Sequence, residues 1–378
     1  MRAMGVLSGF FAAPCRVALR VNAMRQAHIV LGVLVVATLA PIAVAAPLAR
    51  DEQVVFVPAT ARTLADGRSE VTVEGWIHEV ERRPGASRAF ARLLGLDLGA
   101  MSAEERARFH ARTQLFRVDS ERGKRIDLRF SDGHTITLPR SGADGRVSAR
   151  ATIDAAVVDA DGAIPFKVVA DRSDARVFAG RAFHVGAQGL SVVSDIDDTI
   201  KQSDVRDRRE LLLNTFARPF AAAPGMAEAY RAWATNPDVR FHYVSSSPLQ
   251  LYPPIAEFIA AAGFPAGSVH LRETTSLHRL LLGGADSRRH KRRSIERLLE
   301  DFPQRRFILV GDSGEHDPEI YAELARAHPR QVIAIGIRDV SAEPRSAPRY
   351  ARAFAGIDAQ RWDVFVDPAR WQAALPAH

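Results

Sequence analysis

The chain has 378 residues, 47% of them hydrophobic and 25% charged, a composition typical of a globular protein with room for two or three domains. The formal net charge is +7, but the first 45 residues hold four arginines and no acid, which leaves about +3 for the remainder. So small an excess predicts no nucleic-acid partner. The single cysteine, Cys15, also lies in those 45 residues, so the rest of the chain can form neither a disulfide nor a thiolate metal site.

The N-terminal 45 residues have the pattern of a signal peptide. Ile29–Ala45 is an almost uninterrupted apolar run with Arg25 as its positive flank, and it ends in small residues at Ala43 and Ala45. We expect residues 1–45 to be removed, with Met24 as a candidate true start, and the mature protein to be exported to the periplasm or the extracellular space. The alternative is a membrane anchor formed by residues 29–45, at the short end of the spanning range.

Residues 46–187 are predicted to form a β-rich accessory domain. Ser69–Glu79 alternates apolar and polar side chains, as a half-buried strand does. Two pairs of strand-like segments flank Asp-Gly turns and predict hairpins: Arg125–Phe130 with His134–Leu138, and Val147–Val158 with Ile164–Ala170. Arg88–Phe109 has a helical pattern. We expect a small sandwich or barrel with a helical insertion, in which no catalytic constellation stands out.

Residues 188–378 alternate between strand and helix patterns and are predicted to form the catalytic domain. The apolar strands are Leu190–Val193, Phe241–Val244, Phe307–Val310 and Val332–Ile337. Helical patterns separate them, which predicts a doubly wound α/β domain with a mostly parallel sheet. Ligands of such sheets bind beyond the carboxyl ends of the strands.

The first of these strands ends in an acidic cluster. Asp195, Asp197 and Asp198 follow it directly, with Thr199 next. Because like charges this close repel, a divalent cation at the strand end would stabilise them, and the Asp-x-Asp-x-Thr spacing indicates a phosphoryl-transfer site. The alternative is a polar turn that caps the next helix.

Three further segments supply what this cluster lacks. Ser245 and Ser246 follow the second strand and could hold a phosphate oxygen, although a serine-rich turn before a proline is the simpler interpretation. Lys291, in a chain that uses arginine for almost every cation, could neutralise a phosphoryl group; the alternative is a solvated basic helix face. Asp312 and Asp317 follow the third strand and could complete a Mg²⁺ shell, or Asp317 could be a helix N-cap.

The order of these motifs resembles the haloacid dehalogenase-like phosphohydrolase superfamily. Within it, the sequences DIDDTIK from Asp195, SSSPLQLYP from Ser245 and GDSGEHDPEIY from Gly311 resemble the App1-type phosphatidate phosphatases, the DUF2183 group. The resemblance covers about residues 185–370. It implies a Mg²⁺-dependent phosphomonoester hydrolase with a Rossmann-like catalytic domain and suggests phosphatidate as the substrate.

The resemblance also implies a role for each site residue. Asp195 would be the nucleophile that forms an aspartyl-phosphate, and Asp197 would protonate the leaving alkoxide and then activate water. The Mg²⁺ ligands would be the Asp195 carboxylate, the Asp197 backbone carbonyl and Asp312. Ser245 or Ser246 and Lys291 would hold phosphoryl oxygens. Asp317 and Thr199 would support the metal shell and the nucleophile loop.

Too few residues separate these motifs for a large cap domain, so an open site that admits a phospholipid is expected. The apolar stretch Leu277–Leu282 with its basic neighbours is a candidate for peripheral membrane contact, or packs on the core instead. Two other functions stay open. One is a phosphatase acting on a non-lipid phosphoester, and the other is a non-catalytic lipid-binding or adhesion module.

Overall fold

The computed structural model describes residues 48–81, 85–154, 157–170, 174–273 and 284–373. The predicted signal peptide and the stretch Leu277–Leu282 lie outside these residues. Across the described ranges, no helix has the length and apolar character needed to cross a bilayer.

The N-terminal half of the described chain is built on a nine-stranded sheet. Its path runs β1-β3-β2-β9-β8-β5-β6, and β4 and β7 both pair with β3. The strands are β1 (Glu52–Val57), β2 (Ala59–Thr63), β3 (Ser69–Val80), β4 (Val118–Ser120), β5 (Asp127–Phe130), β6 (Thr135–Thr137), β7 (Arg146–Ile153), β8 (Ala163–Val168) and β9 (Ala179–His184). All pairs are antiparallel except β2 with β9.

The strand alternation predicted for Ser69–Glu79 is confirmed, since buried and part-exposed residues alternate along the first half of β3. The first predicted hairpin is also confirmed, because β5 pairs with β6. The second is wrong: β7 pairs with β3, whereas β8 pairs with β5 and β9. A turn signal predicts a change of chain direction but not the pairing partner. The 12-residue β3 pairs with β7 at eight positions, more than the six residues of β8 could provide.

Two helices interrupt this sheet, as predicted. They are α1 (Ala86–Leu94) and α2 (Ala103–Gln114). Helix α2 begins with a capping box in which Ser102 and Glu105 satisfy each other's backbone N–H groups. Phe90, Phe109 and Phe116 of this region pack around Phe216 of the C-terminal half. The insertion therefore packs against a helix of the other sheet.

The C-terminal half is a six-stranded sheet in which every pair is parallel, and this confirms the predicted α/β fold. The strands are β10 (Leu190–Ser194), β11 (Val239–Pro248), β12 (Gly267–Arg272), β13 (Arg306–Asp312), β14 (Val332–Arg338) and β15 (Trp362–Phe365). Their spatial order is β12-β11-β10-β13-β14-β15. This is the order of dinucleotide-binding folds, and it reverses direction between β10 and β13, where such folds bind ligands.

Helices cover both faces of the parallel sheet, and two separate apolar clusters fill the space beneath them. They are α3 (Arg208–Phe216), α4 (Met226–Ala234), α5 (Tyr252–Ala261), α6 (Gly284–Asp301), α7 (Asp317–Ala327), α8 (Pro348–Ala353) and α9 (Pro368–Ala373). The central strand β10 is buried along its whole length. Its sequence, LSVVS, is mainly apolar, and its two serines form hydrogen bonds within the core, Ser191 with Arg305 and Ser194 with Tyr230. A residue that follows β10 is therefore fixed by the core beneath it.

Candidate active site

The switch point of the parallel sheet brings three predicted site residues together. Ser194 at the end of β10 lies beside Val310 of β13, and the Asp195 backbone N–H donates to the Val310 carbonyl at 2.8 Å. Asp195, Asp312 and Asp317 each place a carboxylate oxygen within 4.8 Å of the other two. All three side chains are buried. The acids predicted from two different strand ends thus form one cluster.

Lys291 enters this cluster from α6. Its Nζ lies 2.9 Å from Asp195 Oδ1 and 2.5 Å from Asp317 Oδ1, with Glu315 Oε2 at 3.4 Å. Burial alone would lower the pKa of Lys291, but the carboxylates of Asp195 and Asp317 raise that pKa well above its usual value. The lysine is thus a buried, permanent cation, and the solvated-face alternative is wrong.

The acid cluster exceeds the charge that one lysine can neutralise. Burial raises the pKa of Asp195 well above its usual range; Lys291 opposes this shift, and Asp317 and Glu315 add to it. Burial, then Asp317 and Asp195, raise the pKa of Asp312 in the same direction. Binding of a proton or of a further cation would therefore stabilise both carboxyl groups.

Asp312 shows where such a cation fits. Its Oδ1 accepts hydrogen bonds from the backbone N–H groups of Gly314 at 2.6 Å and Glu315 at 3.0 Å. Its Oδ2 is buried and has no hydrogen-bond partner among the described residues. A buried oxygen with free lone pairs, beside two other carboxylates, is a suitable ligand for a hard divalent ion. The residues present thus fit the Mg²⁺ implied by the sequence.

Asp317 is not the helix cap that the sequence offered as an alternative. His316 occupies the N-cap position of α7, and its side chain makes no capping hydrogen bond. The Asp317 carboxylate instead accepts from the Asp312 backbone N–H at 3.2 Å through Oδ2 and from Lys291 through Oδ1. Asp317 thus fixes the positions of Asp312 and Lys291 relative to each other.

Asp197 points away from the acid cluster into a separate polar niche. Its Oδ1 pairs with Lys201 Nζ at 2.7 Å and accepts from Ser203 at 2.7 Å. Its Oδ2 accepts from the hydroxyls of Ser245 at 3.0 Å and Ser247 at 2.9 Å. Burial would raise the pKa of Asp197, but Lys201 and these hydroxyls outweigh it and hold the pKa well below its usual value. Ligation of a metal by its backbone carbonyl stays a prediction.

The loop that follows Asp195 is held in place by its own side chains. Thr199 Oγ1 donates to Asp195 Oδ2 at 3.0 Å, which is the supporting contact predicted for it. Asp198 adopts a left-handed conformation with φ of 55° and accepts backbone N–H groups of Ser203 at 2.7 Å and Val205 at 2.6 Å. Asp198 therefore anchors the following loop and contributes no acid to the cluster.

The two candidate phosphate-binding serines differ in what they contact. Both lie within β11, which continues to Pro248, and not in a turn after the strand as expected. Ser245 Oγ is committed to Asp197 and to the Ser247 backbone N–H at 2.9 Å. Ser246 Oγ has no hydrogen-bond partner in the described part of the chain. Of the two hydroxyls, that of Ser246 is the one available to a ligand.

Two adjoining cavities open at this edge of the sheet. The polar cavity, of about 320 Å³, is lined by Lys291, Asp317 and Arg288. The apolar cavity, of about 190 Å³, is lined by Asp197 together with apolar side chains of α3 and of the segment after β11. Ser246, Ser287, Val205 and Glu315 line both, so the two cavities share a boundary.

Comparison with known proteins identifies the motifs. Residues 190–339 match the family model for the catalytic domain of phosphatidate phosphatase APP1. This segment is therefore similar to the App1 catalytic domain. The chain is 37% identical over 172 residues to phosphatidate phosphatase APP1 of Saccharomyces cerevisiae, a match covering 45% of this chain and 29% of the yeast protein. It is 33% identical over 159 residues to an uncharacterized protein of Schizosaccharomyces pombe, covering 41% and 26% respectively.

The chain thus spans less than a third of the length of these two relatives. Among solved structures, a putative haloacid dehalogenase-like hydrolase from Burkholderia xenovorans LB400 matches 49% of this chain and 96% of its own, at 14% identity and a TM-score of 0.29. A score this low supports no argument, and the assignment of the fold rests on the strand order.

The candidate site contains contacts that the sequence interpretation missed. Lys201, the last residue of the DIDDTIK motif, has no role in the sequence interpretation; it is only 2% exposed and neutralises Asp197. Ser203 and Ser247 complete the niche around Asp197, and Glu315 approaches Lys291. The scarcity of lysine was a signal for Lys201, as it was for Lys291. No sequence signal pointed to the two serines, because their positions depend on how the loop folds.

Proposed function

We propose that the chain is a Mg²⁺-dependent phosphomonoester hydrolase that converts phosphatidate to diacylglycerol through an aspartyl-phosphate intermediate. The observation that carries this proposal is the group formed by Asp195, Asp312, Asp317 and Lys291 at the switch point of the sheet. A buried nucleophilic carboxylate, a fixed ammonium and an unpartnered carboxylate oxygen are the parts that phosphoryl transfer requires. The match of residues 190–339 to the model of the App1 catalytic domain favours phosphatidate as the ester.

The chemistry divides between the two aspartates. Asp195, oriented by Thr199 and Lys291, attacks phosphorus, and the bond from phosphorus to the ester oxygen breaks. Asp197, which its low pKa keeps ionised in the free site, must first bind a proton from solvent, and it then gives this proton to the leaving alkoxide. It then takes a proton from the water that attacks phosphorus, which releases phosphate and restores the Asp195 carboxylate.

Cationic groups of the site neutralise the negative charge of the phosphoryl group. Lys291 binds phosphoryl oxygens in every step, and Ser246 donates to one of them. Asp195 and Asp312 would hold Mg²⁺, with Asp317 beside them, and the bound ion would withdraw charge from the transferring phosphoryl group.

Phosphate release from phosphatidate tests the function directly. Wild type should release phosphate with Mg²⁺ and stop on chelation, and Asp195→Asn should lose turnover, because an amide cannot attack phosphorus. Asp132→Asn, the same change at an exposed turn of the β-rich sheet, is the matched control and should stay active. Undiminished activity of Asp195→Asn would show that Asp195 is not the nucleophile.

The substrate arm of the experiment separates the alternatives. Phosphatidate is compared with soluble phosphoesters at equal concentration. A strong preference for the soluble esters would favour the non-lipid phosphatase. The absence of Mg²⁺-dependent phosphate release from every ester would favour the non-catalytic module.

Export and contact with a membrane surface are also proposed. The pattern of residues 1–45 supports cleavage and export. N-terminal sequencing of the protein recovered from the periplasm or the medium should begin close to Ala46. Recovery of the uncleaved chain in the membrane fraction would instead support the anchor at residues 29–45.

A further inference from the structure

The two adjoining cavities contact different parts of the catalytic machinery. Lys291 and Asp317 line the polar cavity, whereas Asp197 lines the apolar cavity. In the proposed reaction, Lys291 serves the phosphoryl oxygens and Asp197 serves the oxygen that leaves. The boundary between the cavities thus corresponds to the ester bond that is cut, with the phosphoryl group on one side and the leaving group on the other.

The cavity on the leaving-group side has a wall of apolar side chains. Six apolar residues line the cavity: Val205, Leu211, Leu212, Phe216, Pro248 and Leu251. Leu212, Phe216 and Leu251 are themselves buried, so they form a fixed wall, while Val205 and Leu211 are part-exposed and reachable. A wall of this kind favours a carbon-rich group next to the ester oxygen.

Two arginines add hydrogen-bond donors to this wall. Arg208 and Arg272 both line the apolar cavity, and Arg208 is exposed. Guanidinium groups donate to carbonyl oxygens, which carry no charge but accept hydrogen bonds well. An apolar surface with such donors suits carboxylic ester groups attached to short carbon chains.

We propose that the apolar cavity is a leaving-group subsite that binds the glycerol backbone and the first carbons of the acyl chains of a diacylglycerol ester. The proposal rests on the phosphomonoester hydrolysis proposed above and adds what selects the substrate. The cavity volume of about 190 Å³ holds only this proximal part, so the distal acyl carbons lie outside it. Selection for lipid then takes place within the protein, independently of any attraction to a membrane surface.

The test uses soluble substrates, so that partition into vesicles plays no part. Dibutanoyl phosphatidate, present as monomers, is compared with glycerol 3-phosphate, which has the same phosphomonoester and glycerol but lacks the acyl groups. Wild type should show a kcat/KM for the dibutanoyl ester at least about tenfold above that for glycerol 3-phosphate.

Leu211→Gln should lower the ratio of the two kcat/KM values about tenfold, because it places an amide in the apolar wall at nearly unchanged size. Leu93→Gln is the matched control: Leu93 is 57% exposed on α1 and does not line the cavity, so the ratio should stay as in wild type. Circular dichroism and urea unfolding show whether each variant is folded.

The outcomes separate this subsite from the hydrolysis itself. Hydrolysis of both esters with equal kcat/KM by wild type would overturn the subsite and leave the phosphatase standing. An unchanged ratio in folded Leu211→Gln would also overturn it. Hydrolysis of neither ester, nor of any other phosphoester, would overturn the proposed function and the subsite with it.

Discussion

Asp195 and Asp197 lie two residues apart and face opposite electrostatic environments. Burial and neighbouring carboxylates raise the pKa of Asp195, whereas Lys201 and the hydroxyls of Ser203 and Ser247, opposing burial, lower the pKa of Asp197. Each has its own lysine: Lys291 for Asp195 and Lys201 for Asp197. The chain contains only four lysines, and these two are both buried at the site. In the absence of a bound cation these directions favour the protonated form of Asp195 and the ionised form of Asp197, so the proposed roles require a cation beside Asp195 and a proton on Asp197 before the ester is cleaved.

Lys201→Met should destabilise the fold by about 3–5 kcal/mol, because it leaves the buried Asp197 carboxylate without its cation. Asp197→Asn removes that charge, so the double variant Asp197→Asn/Lys201→Met should recover at least half of the loss. The free energy of unfolding in urea is measured for the wild type, for both single variants and for the double variant. Strictly additive losses in the double variant would mean that the two side chains are not coupled.

The two serines of β11 should respond differently to removal of the hydroxyl. Ser246→Ala should lower kcat/KM about tenfold to hundredfold, because it removes a donor to a phosphoryl oxygen, and should change stability by less than about 0.5 kcal/mol. Ser245→Ala should lower stability by about 1–2 kcal/mol, because Asp197 loses a donor and the Ser247 N–H loses its acceptor. Steady-state kinetics and urea unfolding of both variants provide the comparison. A kinetic effect confined to Ser245→Ala would reverse the assignment.

At the scale of elements, the helical insertion of the β-rich half holds a wall of the apolar cavity. Arg112 of α2 donates to the carbonyls of Thr215 at 2.8 Å and Arg218 at 2.9 Å, at the C-terminal end of α3. Burial lowers the pKa of Arg112 to about 10, so it stays charged at neutral pH. Its guanidinium lies 3.8 Å from the ring centroid of Phe220, and Lys201 approaches the same ring at 4.9 Å. Arg112 of the insertion and Lys201, the lysine that neutralises Asp197, thus lie against the same Phe220 ring.

Arg112→Met should cost about 2–3 kcal/mol of stability, because it leaves the last carbonyls of α3 without their donors but keeps the apolar stem. Backbone amides of residues 208–216 should then exchange with deuterium faster than in wild type, since the helix end frays. Arg92→Met, at an exposed position of α1, is the matched control. Unchanged exchange across α3 would mean that the insertion does not hold this wall.

At the scale of the whole molecule, the parts that the sequence predicted are those fixed by local patterns. Short, mainly apolar segments followed by acids revealed β10 and β13, and the parallel fold then placed Asp195 and Asp312 side by side. The partner of β7 and the niche around Asp197 depend on contacts between distant segments, so they left no local pattern. Lys201 could be noticed because lysine is rare in this chain, but its contact with Asp197 required the folded loop.

Buried histidines on both sheets connect the stability of the molecule to pH. His78 is 3% exposed and stacks on Trp76 with ring centroids 4.0 Å apart, and burial lowers the pKa of His78 to about 4. Burial also lowers the pKa of His270 to about 3 and of His290 to about 4. Between pH 6.5 and 4, the unfolded chain therefore binds protons that the folded chain does not. The contribution of these histidines to the free energy of unfolding should fall as the pH decreases through this window, whereas buried carboxyls with raised pKa values, such as Asp195 and Asp312, contribute with the opposite sign.

His78→Gln isolates one of these protons. Wild type should lose roughly 2–3 kcal/mol from His78 alone between pH 6.5 and 4, and the variant should lack that part of the slope whatever its stability at pH 7. His134→Gln, at an exposed turn of the same sheet, is the matched control and should keep the wild-type slope. Urea unfolding at half-unit pH intervals measures the slope as protons bound on unfolding. An identical slope in wild type and His78→Gln would mean that His78 takes up its proton without unfolding, and the acid sensitivity would then belong to the histidines of the parallel sheet.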